Sequence, residues 1–256
     1  MKKVLILQLR PEEVPVQNEF EAFLKYSKLD KEEVERVMLT KINPKKQDEW
    51  LYLGFPKDLK LEDYSCIILG GGPQNISYPE EKKQNNQKEL EKDLFSLLDK
   101  VVKNDFPFLG ACLGIGLVVS HQKGLLSNKY SEEVAPIDIS ITPEGKKDDL
   151  LKNLPNIFKA YVGHKEACEK LPPNAVLLAS GKNCPNQMFR VKENIYATQF
   201  HPELDVEGIK VRVKAYDGMG YFKPGEGEKI INDSNKVDIK DVGLILENFI
   251  NKYHRQ

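Results

Sequence analysis

Residues Phe106 to Gly124 read FPFLGACLGIGLVVSHQKG. The apolar run Phe106 to Leu109 suits a buried strand. After Gly-Ala-Cys-Leu-Gly, a second apolar run has helical character and stops at Gly124. Gly110 and Gly114 flank Cys112 at minus two and plus two. These are the small neighbours that a sharp strand-to-helix turn needs to expose the residue at its tip. A thiol held there sits at the positive end of the following helix, which favours the thiolate, and the Leu113 N–H points toward a reacting carbonyl. An ordinary thiol, with a pKa of ~8.5, is only slightly ionised at neutral pH, so a nucleophile here also needs a base. Taken alone, the stretch reads equally well as a buried cysteine in a strand–helix turn with glycines for packing.

The residues around it set the fold class. Val4 to Leu9 is a continuous apolar run suited to a buried parallel strand, Asn18 to Leu29 has helical spacing, and Val34 to Ile42 reads as a second strand. Lys45 to Leu61, with Trp50 and Tyr52, reads as a loop. Cys66 to Leu69 is a third buried strand, and Asn86 to Lys103 is an amphipathic helix with Leu90, Leu94, Leu97, Leu98 and Val101 in register. Strand and helix alternate, which predicts an α/β fold with a mostly parallel central sheet and helices on both faces. After Gly124 the texture is β-rich and partly antiparallel, with strands expected over 134–142, 158–162, 176–179, 187–191 and 195–200. Residues 1–205 form the expected main domain. Residues 206–256 form a helical extension on it, read as helix, loop, helix, with Leu244, Leu246, Phe249 and Ile250 as an apolar stripe. The loop Gly218 to Gly227 covers the site, docks a partner or packs on the core.

Composition narrows the function classes. The 256 residues are 40% hydrophobic and 30% charged, with 38 basic and 39 acidic side chains and a net charge of -1. That balance gives no footprint for nucleic acid. No stretch approaches the ~20 apolar residues of a membrane span, and the N-terminus lacks a signal sequence. Cys66, Cys112, Cys168 and Cys184 form no C-x-x-C pair, so neither a disulfide framework nor a zinc site is expected. Reduced thiols and a cytoplasmic location follow. Cys66 is expected buried and inert, Cys168 and Cys184 in loops, His121 structural and His254 exposed.

Two further motifs bear on Cys112. Ile195 to Phe200 reads as a strand ending in His201-Pro202-Glu203. Pro202 favours an extended His201, and side chains two apart on an extended segment share a side. Glu203 then accepts from one imidazole nitrogen and leaves the other for a thiol, the base-and-orienter half of a Cys-His-Glu triad. Gly70-Gly71-Gly72-Pro73 ends the strand begun at Cys66. It offers backbone N–H groups to a cavity, Gly72 joining Leu113 as an oxyanion donor. A phosphate loop fits poorly, since neither Lys-Ser/Thr nor G-x-G-x-x-G is present.

The ordered set GGP, G-x-C-x-G and Q-F-H-P-E resembles the class I (triad) glutamine amidotransferases, most closely glutaminase domains of the GMP synthase type, over about residues 60 to 205. The resemblance implies a flavodoxin-like core and hydrolysis of glutamine to glutamate and ammonia through a γ-glutamyl thioester, without cofactor or metal. Carried over, Cys112 is the nucleophile, His201 the base and Glu203 its orienter, with Gly72 and Leu113 as oxyanion donors. Gly71, Gly116 and His164 are the substrate-facing positions. One departure stands out: the family commonly has Gln four residues past the cysteine, where this chain has Gly116. Since no synthetase motif follows, either a separate synthetase subunit accepts the ammonia or the protein acts alone. The alternatives are a γ-glutamyl hydrolase or peptidase with the same triad, for which Gly116 leaves room, and a non-catalytic regulatory module.

Overall fold

The computed structural model describes residues 2–255. β1 (Lys3–Gln8) leads into α1 (Glu13–Ser27), β2 (Val34–Met38), a hairpin of β3 (Thr40–Asn43) and β4 (Lys46–Tyr52), and β5 (Tyr64–Leu69). The long helix α2 (Asn85–Asn104) precedes β6 (Phe108–Ala111) and α3 (Leu113–His121). The β-rich stretch comprises β7 (Leu125–Ser127), β8 (Glu132–Ile141), β9 (Ile157–His164), β10 (Ala167–Lys170), β11 (Val176–Gly181), β12 (Met188–Val191) and β13 (Ile195–Thr198). Three helices follow, α4 (Val206–Ala215), α5 (Gly227–Ser234) and α6 (Leu244–Tyr253).

One nine-stranded sheet, in the order β2-β1-β5-β6-β13-β12-β11-β8-β9, organises the fold. From β2 to β13 neighbours pair in parallel, as in Leu5 with Ile67 and Ile68 with Leu109. From β13 to β9 they pair antiparallel. The β-rich half therefore extends the parallel sheet rather than forming a separate body. The period-2 alternation of strands splits the core in two. Val4 and Ile6 of β1 face α1, α4 and α6, while Leu5 and Leu7 face α2 and α3. Ile245, Leu246, Phe249 and Ile250 of α6 are fully buried, and each contributes roughly 2 kcal/mol of apolar burial.

Several local expectations change. The segment 34–42 breaks at Leu39 into β2 and β3, because β3 turns away to pair with β4, placing Ile42 opposite Trp50 and Thr40 opposite Tyr52. The expected loop at 45–61 thus contains a strand. α1 starts at Glu13, earlier than its apolar spacing suggested, since Pro15 falls in the first turn, where its missing N–H costs nothing. The tail has a third helix, α5, whose eight residues make too short a run for its apolar spacing to be read. His254 is 3% exposed rather than out in solvent, with Nδ1 bonded to Ser65 Oγ at 2.8 Å. Cys168 lies in β10 rather than a loop, and it and Cys184 are buried.

Candidate active site

In an open parallel sheet, ligands meet the carboxyl ends of the strands. The adjacent strands β1, β5, β6 and β13 deliver Arg10, the Gly70 to Pro73 loop, Cys112 and His201 to that edge. Cys112 follows β6 directly and caps α3 with φ 53 and ψ -94, a conformation L side chains rarely hold. Its N–H donates to Thr198 O at 2.8 Å and its C=O accepts from Ile115 N–H at 3.1 Å, so the turn is tied at both ends. Gly110 is required here by space: a Cβ on it would lie 2.9 Å from Gly114 Cα. Leu113 is the first residue of α3, so its N–H has no partner within the helix. Of the four cysteines, Cys112 alone is not buried.

The glycine loop is built for close approach. A Cβ on Gly70 would meet Glu19 Cδ at 2.9 Å, and one on Gly71 would meet Arg10 Nη2 at 2.7 Å and His201 Cε1 at 2.9 Å. None of the three glycines has positive φ, so clearance rather than conformational freedom explains the run.

His201 and Glu203 come together, though not on an extended segment. β13 ends at Thr198. His201 then makes an isolated antiparallel bridge with Tyr161, and residues 202–203 form a turn closed by Leu204 N–H donating to His201 O at 3.3 Å. Pro202 suits that turn through its fixed φ. Within it, His201 Nδ1 and Glu203 Oε1 are 2.9 Å apart, both side chains buried, which leaves Nε2 free of Glu203.

A buried charge network backs the pair. Arg212 Nη2 of α4 donates to Glu203 Oε1 at 2.7 Å and lies 3.7 Å from Glu19 Oε2. Arg10 Nε donates to Glu19 Oε2 at 2.7 Å, Arg10 Nη1 to Tyr216 Oη at 2.7 Å, and Gln8 Nε2 to Glu19 Oε1 at 3.0 Å. Loss of hydration against the surrounding protein raises the partly exposed Cys112 thiol to about 11, with Arg10 and Arg212 pulling the other way. Burial and the Arg212 guanidinium lower His201 to about 4. Burial alone would raise the Glu203 carboxyl, but His201 and Arg212 hold it well below the usual carboxylate range. Thiol and imidazole therefore rest as a neutral pair beside a fixed carboxylate.

Residues 31–210 match the family described as glutamine amidotransferase class-I. The chain belongs to this family. It is 32% identical over 148 residues to a protein named GMP synthase (glutamine-hydrolyzing) from Borrelia garinii subsp. bavariensis, covering 58% of this chain and 25% of that protein. It is 34% identical over 139 residues to a Methanococcus aeolicus protein named as one subunit of GMP synthase (glutamine-hydrolyzing), covering 54% of this chain and 64% of that protein. The chain thus matches less than two thirds of either relative's length. A glutamine amidotransferase from Thermotoga maritima shares the fold, with TM-score 0.74 at 20% identity over 98% of both chains.

Against this class-I background, Gly116 has a local reason. A Cβ there would lie 3.1 Å from Glu166 Oε1 and 3.4 Å from Ile76 Cγ1. Glu166 fills the space a longer side chain at 116 would use. Its carboxylate accepts from the Ile76 and Ser77 N–H groups at 2.8 Å each, fixing the loop after Pro73.

Cys112 stands between two cavities. One is lined by Gly72, Leu113, Gly116, His164, Lys165 and Glu166 among others. The second is lined by Arg10, His201, Arg212, Tyr216 and an apolar wall. Gly72, Cys112, Gly163 and Tyr221 belong to both. Tyr221 comes from the 218–227 loop, which is pinned by Val134 N–H donating to Tyr221 O at 3.1 Å and by the buried Phe222.

His164 lines the first cavity, but its ring is engaged: Nδ1 lies 3.1 Å from Glu166 O and Nε2 3.0 Å from Glu132 Oε2. Glu132, His164 and Cys184 bring potential metal-ligand atoms within 4.8 Å of one another, with both imidazole nitrogens already bonded. Among the described residues, no helix is long and apolar enough to cross a membrane. Sequence reading missed Arg10, Glu19, Arg212 and Tyr221.

Proposed function

We propose that the site hydrolyses the side-chain amide of glutamine to glutamate and ammonia. The observation that carries this reading is the convergence of a strained Cys112 with His201, itself bonded to the buried Glu203, on the wall of one cavity. His201 Nε2 takes the Cys112 proton as Sγ attacks the γ-carbonyl. The N–H groups of Gly72 and Leu113 receive the developing oxyanion. His201 returns the proton to the leaving nitrogen, ammonia departs, and a γ-glutamyl thioester remains. Water, deprotonated by His201, then releases glutamate. Glu203 holds the imidazole tautomer and balances the transient imidazolium, itself steadied by Arg212.

The first cavity receives the glutamyl portion. Gly116 borders it without a side chain, Gly71 gives clearance to Arg10 and His201 instead, Glu166 provides an acceptor for the substrate ammonium, Lys165 a cation for the α-carboxylate, and the bonded His164 a rigid wall. The Methanococcus relative is one subunit of its enzyme by name. That supports a separate synthetase as the acceptor of the ammonia, in the cytoplasm, where thiols stay reduced.

The test is glutamate release from glutamine as a function of pH. A lowered imidazole pKa means that protonation disables the base only in strong acid. The kcat/KM profile therefore keeps its plateau through pH 6.5, where an ordinary histidine loses function, and falls on an acid limb near pH 4. An acid limb at 6.5 or above contradicts the neutral pair, and no release at any pH contradicts the function.

A further inference from the structure

A second cluster of buried groups adjoins the first cavity through His164. Glu132 opens β8 and His164 closes β9, and the two stand opposite each other in the antiparallel ladder. Cys184 lies in the turn between β11 and β12, which is closed by Gly181 N–H donating to Cys184 O at 2.9 Å. Gln187, just before β12, donates from Nε2 to Glu132 Oε2 at 2.7 Å. Two strands and a turn thus bring a carboxylate, an imidazole and a thiol within 4.8 Å of one another. These residues are far apart in the chain, so cysteine spacing alone points away from a metal here.

The hydrogen bonds of this cluster do not close. His164 Nδ1 faces Glu166 O at 3.1 Å and Nε2 faces Glu132 Oε2 at 3.0 Å, and both oxygens only accept. A neutral imidazole has one N–H for the two. Given to the backbone carbonyl, as metal-bound histidines commonly give it, that N–H leaves the Nε2 lone pair against a carboxylate oxygen. A second proton on the ring answers this contact and no other. Among the described residues, Glu132 Oε1 and Gln187 Oε1 are also buried without a hydrogen-bond partner. His164, Cys184 and Gln187 are at most 4% exposed, and the Glu132 side chain 5%. Unpaired acceptors and a lone pair converging in a buried space call for a cation.

We propose that Glu132, His164 and Cys184 bind a zinc ion, with Gln187 Oε1 or a water as the fourth donor. A carboxylate and a thiolate balance its two positive charges. This mixed donor set suits zinc, whereas magnesium and calcium take oxygen ligands. Zinc bonds of ~2.0–2.3 Å hold ligand atoms about 3.3–3.8 Å apart, so the Cys184 turn closes on the Glu132–His164 pair as the ion enters. The thiol proton leaves to solvent. Glu132 and His164 also line a surface groove with Ser131, Glu133 and Lys165, which gives the ion its path in. Bound there, it ties β8, β9 and the β11–β12 turn together and fixes the 164–166 segment on the wall of the first cavity. The site does not depend on the glutaminase reading.

The test adds cobalt(II), a coloured stand-in for zinc, to the chelator-treated chain. The expected result is one ion per chain with a thiolate-to-cobalt charge-transfer band that zinc displaces. Zinc itself should raise Tm by at least about 5 °C. Cys112→Ser should keep the band and Cys184→Ser should abolish it. Glu132→Gln, which keeps the side-chain shape, should weaken binding at least about 100-fold. No cobalt bound by the wild-type chain, or cobalt bound without the band, overturns the site. So does unchanged affinity in Glu132→Gln. A band that survives Cys184→Ser and is lost in Cys112→Ser overturns it too, by placing the ion on the nucleophile.

Discussion

Cys112→Gly is expected to lose at least about 10⁴-fold in glutamine turnover, yet to fold more stably than Cys112→Ala by about 1 kcal/mol. The activity loss follows from removing the one atom that forms the thioester, because residues acting as a unit fail together. The stability difference has a separate origin. Residue 112 holds φ 53 and ψ -94, pinned by Thr198 on one side and Ile115 on the other. Any residue with a Cβ strains there, and glycine does not. Chemical denaturation of the two inactive variants isolates the backbone cost, since neither carries the thiol. Equal midpoints, or alanine above glycine, would show that the turn stores no strain.

Glu19→Ala is expected to destabilise the fold by about 3–5 kcal/mol, the cost of leaving a buried charge without its partner. Glu19 is 0% exposed and accepts from Arg10 at 2.7 Å and Gln8 at 3.0 Å, with Arg212 3.7 Å away. Its loss leaves two guanidiniums facing each other behind the His201–Glu203 pair. Glu19→Gln keeps the shape and an acceptor but not the charge, and should fall between wild type and alanine. Denaturant midpoints at constant slope read the difference. A change below about 1 kcal/mol for Glu19→Ala would mean the network does not hold α1 and α4 to the sheet.

Much of this was legible because the strongest signals were local. Val4 to Leu9 and Cys66 to Leu69 are buried apolar runs that read as parallel strands, and so does Phe106 to Leu109, although its strand and its full burial begin only at Phe108. The cysteine turn announced itself through Gly110 and Gly114, and the His201–Glu203 contact through its spacing of two. The spacing argument assumed an extended chain where the structure has a turn; the contact forms because Pro202 folds the pair into one loop. What escaped depends on long-range packing. Glu19 sits among Val16, Phe20 and Phe23 on the buried face of α1, and Arg212 beside Ile209 and Val213 on that of α4. A charge inside an apolar stripe was the one clue to a buried network. Arg10, directly after the apolar β1, was the same clue at a strand's carboxyl end. Tyr221 carried no such clue, because its place depends on how the 218–227 loop folds back onto β8.

Gly116 changes meaning in three dimensions. In the sequence it marks a missing side chain. In the structure it is half of an exchange, with the Glu166 carboxylate occupying the vacated space and tying down Ile76 and Ser77.

The central claim is that Cys112 is the nucleophile for γ-glutamyl compounds. Labelling with a glutamine-mimicking diazo-ketone, followed by peptide mass mapping, tests it most directly. The expected result is one adduct per chain, on Cys112, slowed by added glutamate, with the buried Cys66, Cys168 and Cys184 unmodified. Adduct on another cysteine, or none on Cys112 under conditions where iodoacetamide alkylates it, contradicts the claim.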